Sequence, residues 1–322
     1  MSSSASDWVK RHSIGGVSGA TLARVTGQPA GAGAARPALD HDPLVDLELA
    51  LDLADLARDL TLAAFGGRQQ VALKADATPV TEVDRAVELA IRSVLAERRP
   101  DDGVRGEEAE DVPGTSGRVW VIDPIDGTRM FAEGIPLWTT LIGLRVGDVG
   151  GPVVVGVADA PALGERYHAV AGGGAFCNGS PITVSGVSSL DASLVLHAPI
   201  EEFQRPRGSG LDALRAVSER ARTTRGIGDA WAHLLIARGA AEALVEQGPC
   251  FEWDWAATSV IVTEAGGRLS DLDGGAPHDG GHLLVSNGRV DDDIRGALLG
   301  GGSRGHAGAG RPEPGRASGV SR

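Results

Sequence analysis

Leu49, Leu53, Leu56 and Leu60 recur at helical spacing between Pro43 and Phe65, with Asp52, Asp55 and Asp59 between them. That period predicts an amphipathic helix, stopped by Gly66-Gly67. A second helix opens at Thr81-Glu82-Val83-Asp84, a capping arrangement, and carries Val83, Val87, Ile91, Val94 and Leu95 on one face as far as Pro100. After a Gly- and acid-rich loop the pattern changes: Val119-Trp120-Val121-Ile122 is an unbroken apolar run that reads as a buried strand ending in Asp123. Short strands are expected at 137–146, 152–158, 165–170, 182–185 and 193–197, with turns from Gly147 to Gly151 and at Asn178-Gly179. Helices return at 210–221, 229–238 and 254–265, strands at 268–271 and 282–286, and a last helix runs from Asp291 to Leu299. Helices, then strands, then mixed elements indicate an α+β fold of packed layers.

With 322 residues the chain is long enough for one large domain or two ordinary ones. Residues 1–39 are Ser, Gly and Ala with scattered bases and no period, and residues 300–322 hold eight glycines and two prolines. Both ends read as disordered tails around a folded domain at 40–299. No run approaches the roughly 18 apolar residues of a membrane span, and the N-terminus lacks a secretory signal, so the expected place is the cytoplasm. Cys177 and Cys250 are too few for a disulfide framework or a cysteine-rich zinc site.

Charge narrows the chemistry. The formal net charge is −13, and residues 40–299 hold 41 acids against 22 bases. Such a body repels a nucleic-acid backbone, and it repels a small phosphate ester too unless cations intervene. Divalent metal ions are therefore the first cofactor to look for.

The sharpest motif is Asp123-Pro124-Ile125-Asp126-Gly127-Thr128, directly after the buried strand. Two carboxylates three residues apart converge if the chain turns between them, and Pro124 and Gly127 supply turn chemistry. Gly127 also lets backbone N–H groups approach an anion. The same motif occurs on ordinary surface turns, so two further acidic sites add weight: Gly106-Glu107-Glu108, and Trp253-Asp254-Trp255 at the start of an apolar helix. Each has a plain alternative, a solvated acidic loop for the first and a helix N-cap for Asp254. Oxygen ligands without cysteine or paired histidines favour magnesium, with manganese as a substitute, over zinc.

The segments "KADATPVTEVDRAVE" (74–88), "GEE" (106–108), "DPIDGTRMF" (123–131), "GAFCNGSPITVS" (174–185) and "WDWAATSVIVTEAGG" (253–267) resemble the inositol monophosphatase family of magnesium-dependent phosphatases. The resemblance spans about residues 43–299 and keeps family order. It implies a layered α/β/α/β/α sandwich of the inositol monophosphatase/fructose-bisphosphatase type, a small-molecule phosphate ester as substrate, and a homodimer. It further implies two or three Mg2+ per site, held by Glu107, Asp123, the Ile125 carbonyl, Asp126 and Asp254. Glu107, Thr128 and Asp84 match the positions that orient the attacking water; Gly127 and Thr128 match phosphate contacts, and Lys74 a positive residue near the site.

Arg225-Gly226-Ile227-Gly228-Asp229-Ala230-Trp231 resembles the histidinol-phosphatase branch of that family. A carboxylate at Asp229 suits a substrate bearing an ammonium and an imidazole, whereas an inositol offers only hydroxyls. Asp229 could equally cap the helix at 229–238. The family's second substrate-binding acid falls on Gln247 by strict spacing; one extra residue makes Glu246 the candidate, with Glu252 as a substitute. Inositol, sugar or aminocyclitol phosphates form the alternative substrate class. A non-catalytic regulatory member is the alternative from another class, and it is disfavoured because every ligand position is filled. Trp231 and Trp255 read as core, and His168, His197, His233, His278 and His282 show no ligand spacing and receive no role.

Overall fold

The computed structural model describes residues 42–67, 71–73, 79–204 and 210–300. Lys74 and the two tails expected to be disordered lie outside the described residues, apart from Gly300, which ends the last helix. The chain begins with α1 (Pro43–Ala64), a small ribbon of β1 (Ala72–Leu73) and β2 (Pro79–Val80), and α2 (Glu82–Arg98). Next come β3 (Gly103–Gly106), β4 (Arg118–Asp126), a short α3 (Thr128–Ala132), β5 (Thr139–Val146), β6 (Val153–Ala160), β7 (Glu165–Val170), β8 (Ala175–Cys177) and β9 (Ser180–Ile182). These strands form a seven-stranded sheet in the order β3-β4-β5-β6-β7-β8-β9, antiparallel except for the β3/β4 pair.

The second half contains β10 (Leu194–His197), α4 (Ile200–Phe203), α5 (Leu211–Arg220), β11 (Thr223–Gly226), α6 (Asp229–Ala237) and β12 (Ala243–Cys250). It ends with α7 (Glu252–Glu264), β13 (Arg268–Ser270), β14 (Gly281–Ser286) and α8 (Asp291–Gly300). Its sheet is ordered β11-β10-β12-β14-β13, with β10 parallel to both neighbours. Residues from α1 and α2 share one core with Trp120, Ile122 and Ile142. The opposite face of the large sheet, through Leu141 and Ala158, packs with α6, α7 and Leu244 and Val285 of the small sheet. Val195, Val245 and Leu284 on the far face of the small sheet pack with α5 and α8. The layers are therefore α/β/α/β/α, the sandwich expected.

Strand parity explains the layering. On β4, Trp120 and Ile122 face α1 and α2, while Val121 and then Asp123 face the start of α7. Small residues line the path of α7: a Cβ on Gly156 would stand 2.3 Å from the Ala257 carbonyl oxygen, and one on Gly143 would stand 3.1 Å from the Ala257 nitrogen. The helix thus lies almost on the sheet backbone. Full burial of each Leu234, Ile236 and Ile261 side chain in this layer contributes roughly 1.5–3 kcal/mol. Glu252 completes the seating, pairing with Arg145 at 2.6 Å and Arg105 at 3.1 Å.

Most expected elements occur within a few residues of their expected bounds. The strand expected at 182–185 is instead β9, because Asn178 and Gly179, both at positive φ, form a tight turn that pairs Cys177 with Ser180. Six strands among the described residues were not foreseen: β1, β2, β8 and β11 are only two to four residues long, β3 lies inside the Gly-rich loop, and Gln247-Gly248-Pro249 hides β12 from any apolar period. No helix among the described residues is long and apolar enough to cross a membrane.

Candidate active site

Along β4, Asp123 pairs with Leu141 and Asp126 with Thr139, so three steps on β4 match two on β5. This one-residue bulge cancels the alternation that would point the two carboxylates to opposite faces. The Ile125 N–H donates to Asp123 Oδ1 at 3.0 Å and the Thr140 hydroxyl donates to the Pro124 carbonyl at 2.8 Å, fixing the turn. Gly127 follows at φ 81, a left-handed backbone suited to glycine, and a Cβ there would stand 3.1 Å from the Leu137 carbonyl.

Asp254 arrives from 128 residues further along the chain. It occupies the first turn of α7, where its carboxylate accepts the Phe251 N–H at 2.7 Å. Its oxygen, with one each from Asp123 and Asp126, falls in a group whose members all lie within 4.8 Å of one another. Glu107 stands beside them on the loop after β3. Burial first, then the carboxylates of Glu107, Asp126, Asp254 and Asp84, push the Asp123 carboxyl well above the usual range. Burial and then Asp229, Asp254 and Glu246 raise Asp126 likewise, partly offset by a backbone N–H. Burial also dominates the upward shift of Asp254, with Glu107, Glu246 and Asp229 adding to it. Buried carboxylates facing one another are costly alone and suit a bound hard cation. The donor set fits magnesium.

Glu107 is held through its neighbours. The buried Glu88 carboxylate on α2 accepts N–H bonds from Glu108 at 2.8 Å and Ala109 at 3.1 Å, and Arg92 Nε at 2.7 Å. Gly106 leaves room for it, since a Cβ there would stand 2.5 Å from a Glu88 oxygen. Glu88 belongs to a quoted motif but was assigned no role, because nothing local reveals that its side chain reaches the later loop.

Asp84 and Thr128 form a second unit. The Thr128 hydroxyl lies 3.2 Å from Asp84 Oδ1 and 3.0 Å from the Ile125 carbonyl, both acceptors. Asp84 also accepts from the Thr81 N–H at 2.9 Å and from the Thr81 hydroxyl, closing the capping box expected at the start of α2. Burial raises the Asp84 carboxyl above its usual range although these donors oppose it.

The second acidic pair adjoins the first cluster. Asp229 is not the N-cap of α6: it is the first helical residue, the cap is Gly228, and Asp229 takes the left-handed φ of 59. Its own N–H donates to Glu246 Oε1 at 3.0 Å. The next N–H, of Ala230, donates to Asp126 at 2.9 Å. Among the described residues no hydrogen-bond donor meets the Asp229 carboxylate. Burial, then the neighbouring Glu246 carboxylate, raises it to about 6, while His233 and Arg129 pull it down. Glu252 does not serve as the second acid, because both its oxygens are committed to Arg105 and Arg145. Trp231 and Trp255 are buried, as expected for core residues.

His233, given no role from its spacing, bridges Thr258 and Glu246. A buried histidine four positions after a candidate acid on one helix face was the available signal.

The family model described as "Inositol monophosphatase family" matches residues 45–298. The histidinol-phosphatase of Chlorobaculum parvum is 45% identical over 243 residues, which is 75% of this chain and 91% of that protein. The histidinol-phosphatase of Streptomyces coelicolor is 40% identical over 80% of this chain and 98% of its own length. Among solved structures, an inositol monophosphatase from Zymomonas mobilis superposes with a TM-score of 0.70 at 31% identity, covering 82% of this chain and all of that one. The metal-ready carboxylates lie within the matched span, and the relatives cover nearly their full lengths; this chain belongs to the inositol monophosphatase family and is a phosphoric monoester hydrolase.

Proposed function

We propose that this phosphatase is a Mg2+-dependent histidinol-phosphatase that releases histidinol and inorganic phosphate, acting in histidine biosynthesis in the cytoplasm. The observation that carries the reading is the Asp229/Glu246 acid pair set directly against the Asp126 side of the metal cluster. A phosphate held at the metals would place the rest of the ester over that pair. Two carboxylates there favour an ammonium or imidazolium group and offer a neutral polyol less. The two named histidinol-phosphatases support the same substrate.

Glu107, Asp123, Asp126, Asp254 and the Ile125 carbonyl would hold two or three Mg2+, with Mn2+ as a substitute. Bound magnesium supplies charge neutralisation for the phosphate and a lower pKa for a coordinated water. The chain's own residues do the positioning. The Thr128 hydroxyl, whose hydrogen is directed to Asp84 or the Ile125 carbonyl, would present a lone pair to the attacking water, and Glu107 would accept that water's proton. Gly127 and Thr128 offer backbone N–H groups to the phosphate; Lys74, which lies outside the described residues, enters only as the match to a positively charged position that the family resemblance implies. Asp229 and Glu246 receive the cationic end of the substrate. The homodimer implied by the family resemblance belongs to this proposal.

The test is phosphate release from histidinol phosphate, inositol 1-phosphate and p-nitrophenyl phosphate with Mg2+ and with chelator. Fast, chelator-sensitive turnover of histidinol phosphate is expected. Negligible activity on it beside rapid turnover of inositol 1-phosphate would replace the reading with the inositol class. Asp229→Ala should raise KM for histidinol phosphate about tenfold through loss of a charge-assisted contact, with a smaller change for p-nitrophenyl phosphate.

A further inference from the structure

His233 is 1% exposed, one helical turn after Asp229, in the layer between the two sheets. A polar ring at such a position must find partners. Its Nδ1 lies 2.8 Å from the Thr258 hydroxyl oxygen, and its Nε2 lies 3.1 Å from Glu246 Oε2. The other oxygen of Glu246 accepts the Asp229 N–H. A line of contacts thus runs Thr258, His233, Glu246, Asp229, joining α7, α6 and β12 behind the acid pair.

The proton positions along this line can be worked out. The Thr258 hydroxyl either donates to Nδ1, leaving a neutral ring with its hydrogen on Nε2, or donates to the Trp255 carbonyl 3.2 Å away and accepts from Nδ1–H. The first arrangement serves both contacts with a neutral ring and puts an N–H on Nε2, pointed at Glu246. Glu246 then receives one N–H on each oxygen, which fixes its plane.

The backbone of Asp229 needs that support. A non-glycine residue at φ 59 is sparsely populated and persists only where the surroundings hold it. The Asp229 N–H to Glu246 bond is one such restraint, and it works only while Glu246 itself is held. The Ala230 N–H to Asp126 bond is the other.

We propose that His233 is a positioning residue for substrate selection: its Nε2–H holds Glu246 so that the Asp229 and Glu246 carboxylates together receive a cationic group of the ester. This rests on the substrate reading given above. His233 itself touches no substrate atom and no reacting group.

The test compares His233→Leu, His233→Gln and Thr258→Val with the wild-type enzyme at saturating Mg2+, on histidinol phosphate and on p-nitrophenyl phosphate, with a thermal melt of each. His233→Leu should raise KM for histidinol phosphate about tenfold, the worth of one hydrogen bond to a charged group. Its kcat and its KM for p-nitrophenyl phosphate should stay within about twofold. His233→Gln, whose amide N–H can reach the Nε2 position, should recover much of the loss, and Thr258→Val should move KM in the same direction by a smaller factor. Equal losses on both substrates, tracking the drop in Tm, would mean a purely structural role and overturn the proposal. So would a His233→Gln enzyme as impaired as His233→Leu, or an unchanged substrate ratio in every variant. If His233→Leu does not fold, the glutamine and valine variants decide by the same criteria. A wild-type enzyme without preference for histidinol phosphate removes the substrate reading and this proposal with it; a preference that survives all three substitutions removes only this proposal.

Discussion

The backbone N–H of Ala230 donates to the Asp126 carboxylate at 2.9 Å, joining residues 104 positions apart in the chain. Because Ala230 follows Asp229 directly, the bond sets the distance between the candidate metal-binding carboxylates and the second acid pair. One carboxylate is therefore shared by the two halves of the site. Its other oxygen, Oδ1, remains available to a cation while Oδ2 is oriented by α6 and by the Thr139 hydroxyl at 3.2 Å.

Asp126→Asn should abolish turnover and leave the fold intact. A neutral amide is a poorer ligand for a hard cation, and the loss should exceed the roughly 10–100-fold that removal of an outer-shell partner costs. Phosphate release and circular dichroism measure the two halves of this statement; near-normal kcat in a folded variant would take Asp126 out of the site.

Magnesium should stabilise the enzyme more at high pH than at low pH. Asp84, Asp123, Asp126 and Asp254 all have raised pKa values, so the metal-free fold binds more protons than the unfolded chain. The stability that this contributes is full below the unfolded carboxylate range near 4 and is lost as pH rises through the folded values. Mg2+ competes with those protons and relieves the repulsion left when they depart. Melting curves in chelator and in excess Mg2+ at pH 5 and pH 8 should show the larger Mg2+ increment at pH 8. Equal increments would count against the carboxylate cluster as the binding site.

Glu88→Gln should raise the Mg2+ concentration needed for half-maximal activity by about tenfold. The carboxylate accepts two backbone N–H bonds that shape the loop around Glu107, and an amide satisfies one of them less well. Titration of activity with Mg2+ measures this, and kcat at saturation should largely return. A variant with wild-type Mg2+ dependence would show that the loop keeps its shape without Glu88.

Gly156→Ala should weaken both stability and activity. The added methyl meets the Ala257 carbonyl at 2.3 Å and Val260 at 2.5 Å, so α7 must shift, at a cost of about 1–3 kcal/mol. Asp254 rides on the same helix, and its displacement lowers kcat. Denaturant melts with parallel kinetics test the coupling; a destabilised variant with unaltered kcat would separate the packing of α7 from the placement of Asp254.

Much of the site was legible locally. Asp123 and Asp126 stand in a turn motif at the end of an apolar strand, and Thr81 with Asp84 forms a capping box readable from spacing alone. Asp254 was singled out by its place at the start of an apolar helix. The second layer of partners was not legible, because Glu88, Glu252 and His233 look like ordinary helix residues in the sequence. Their roles depend on which distant group each side chain meets: the Glu107 loop, two arginines on neighbouring strands, and the Glu246 carboxylate. The alternative reading of Asp229 as a helix cap gives way for the same reason: the cap is Gly228, and the Asp229 N–H instead meets Glu246 on a distant strand.

From residue order alone came the two-period pattern, the α+β class, the acidic character that calls for cations, and the short motifs that carry the candidate ligands. These depend on neighbours within a few positions, where spacing translates directly into a shared face or a turn. The tertiary structure decided that a one-residue bulge turns Asp123 and Asp126 to the same side, that Gly143 and Gly156 let α7 close on the sheet, and that Asp229 stands beside Glu246. Those outcomes depend on close packing between elements far apart in the chain, and no local period encodes the direction in which such elements approach.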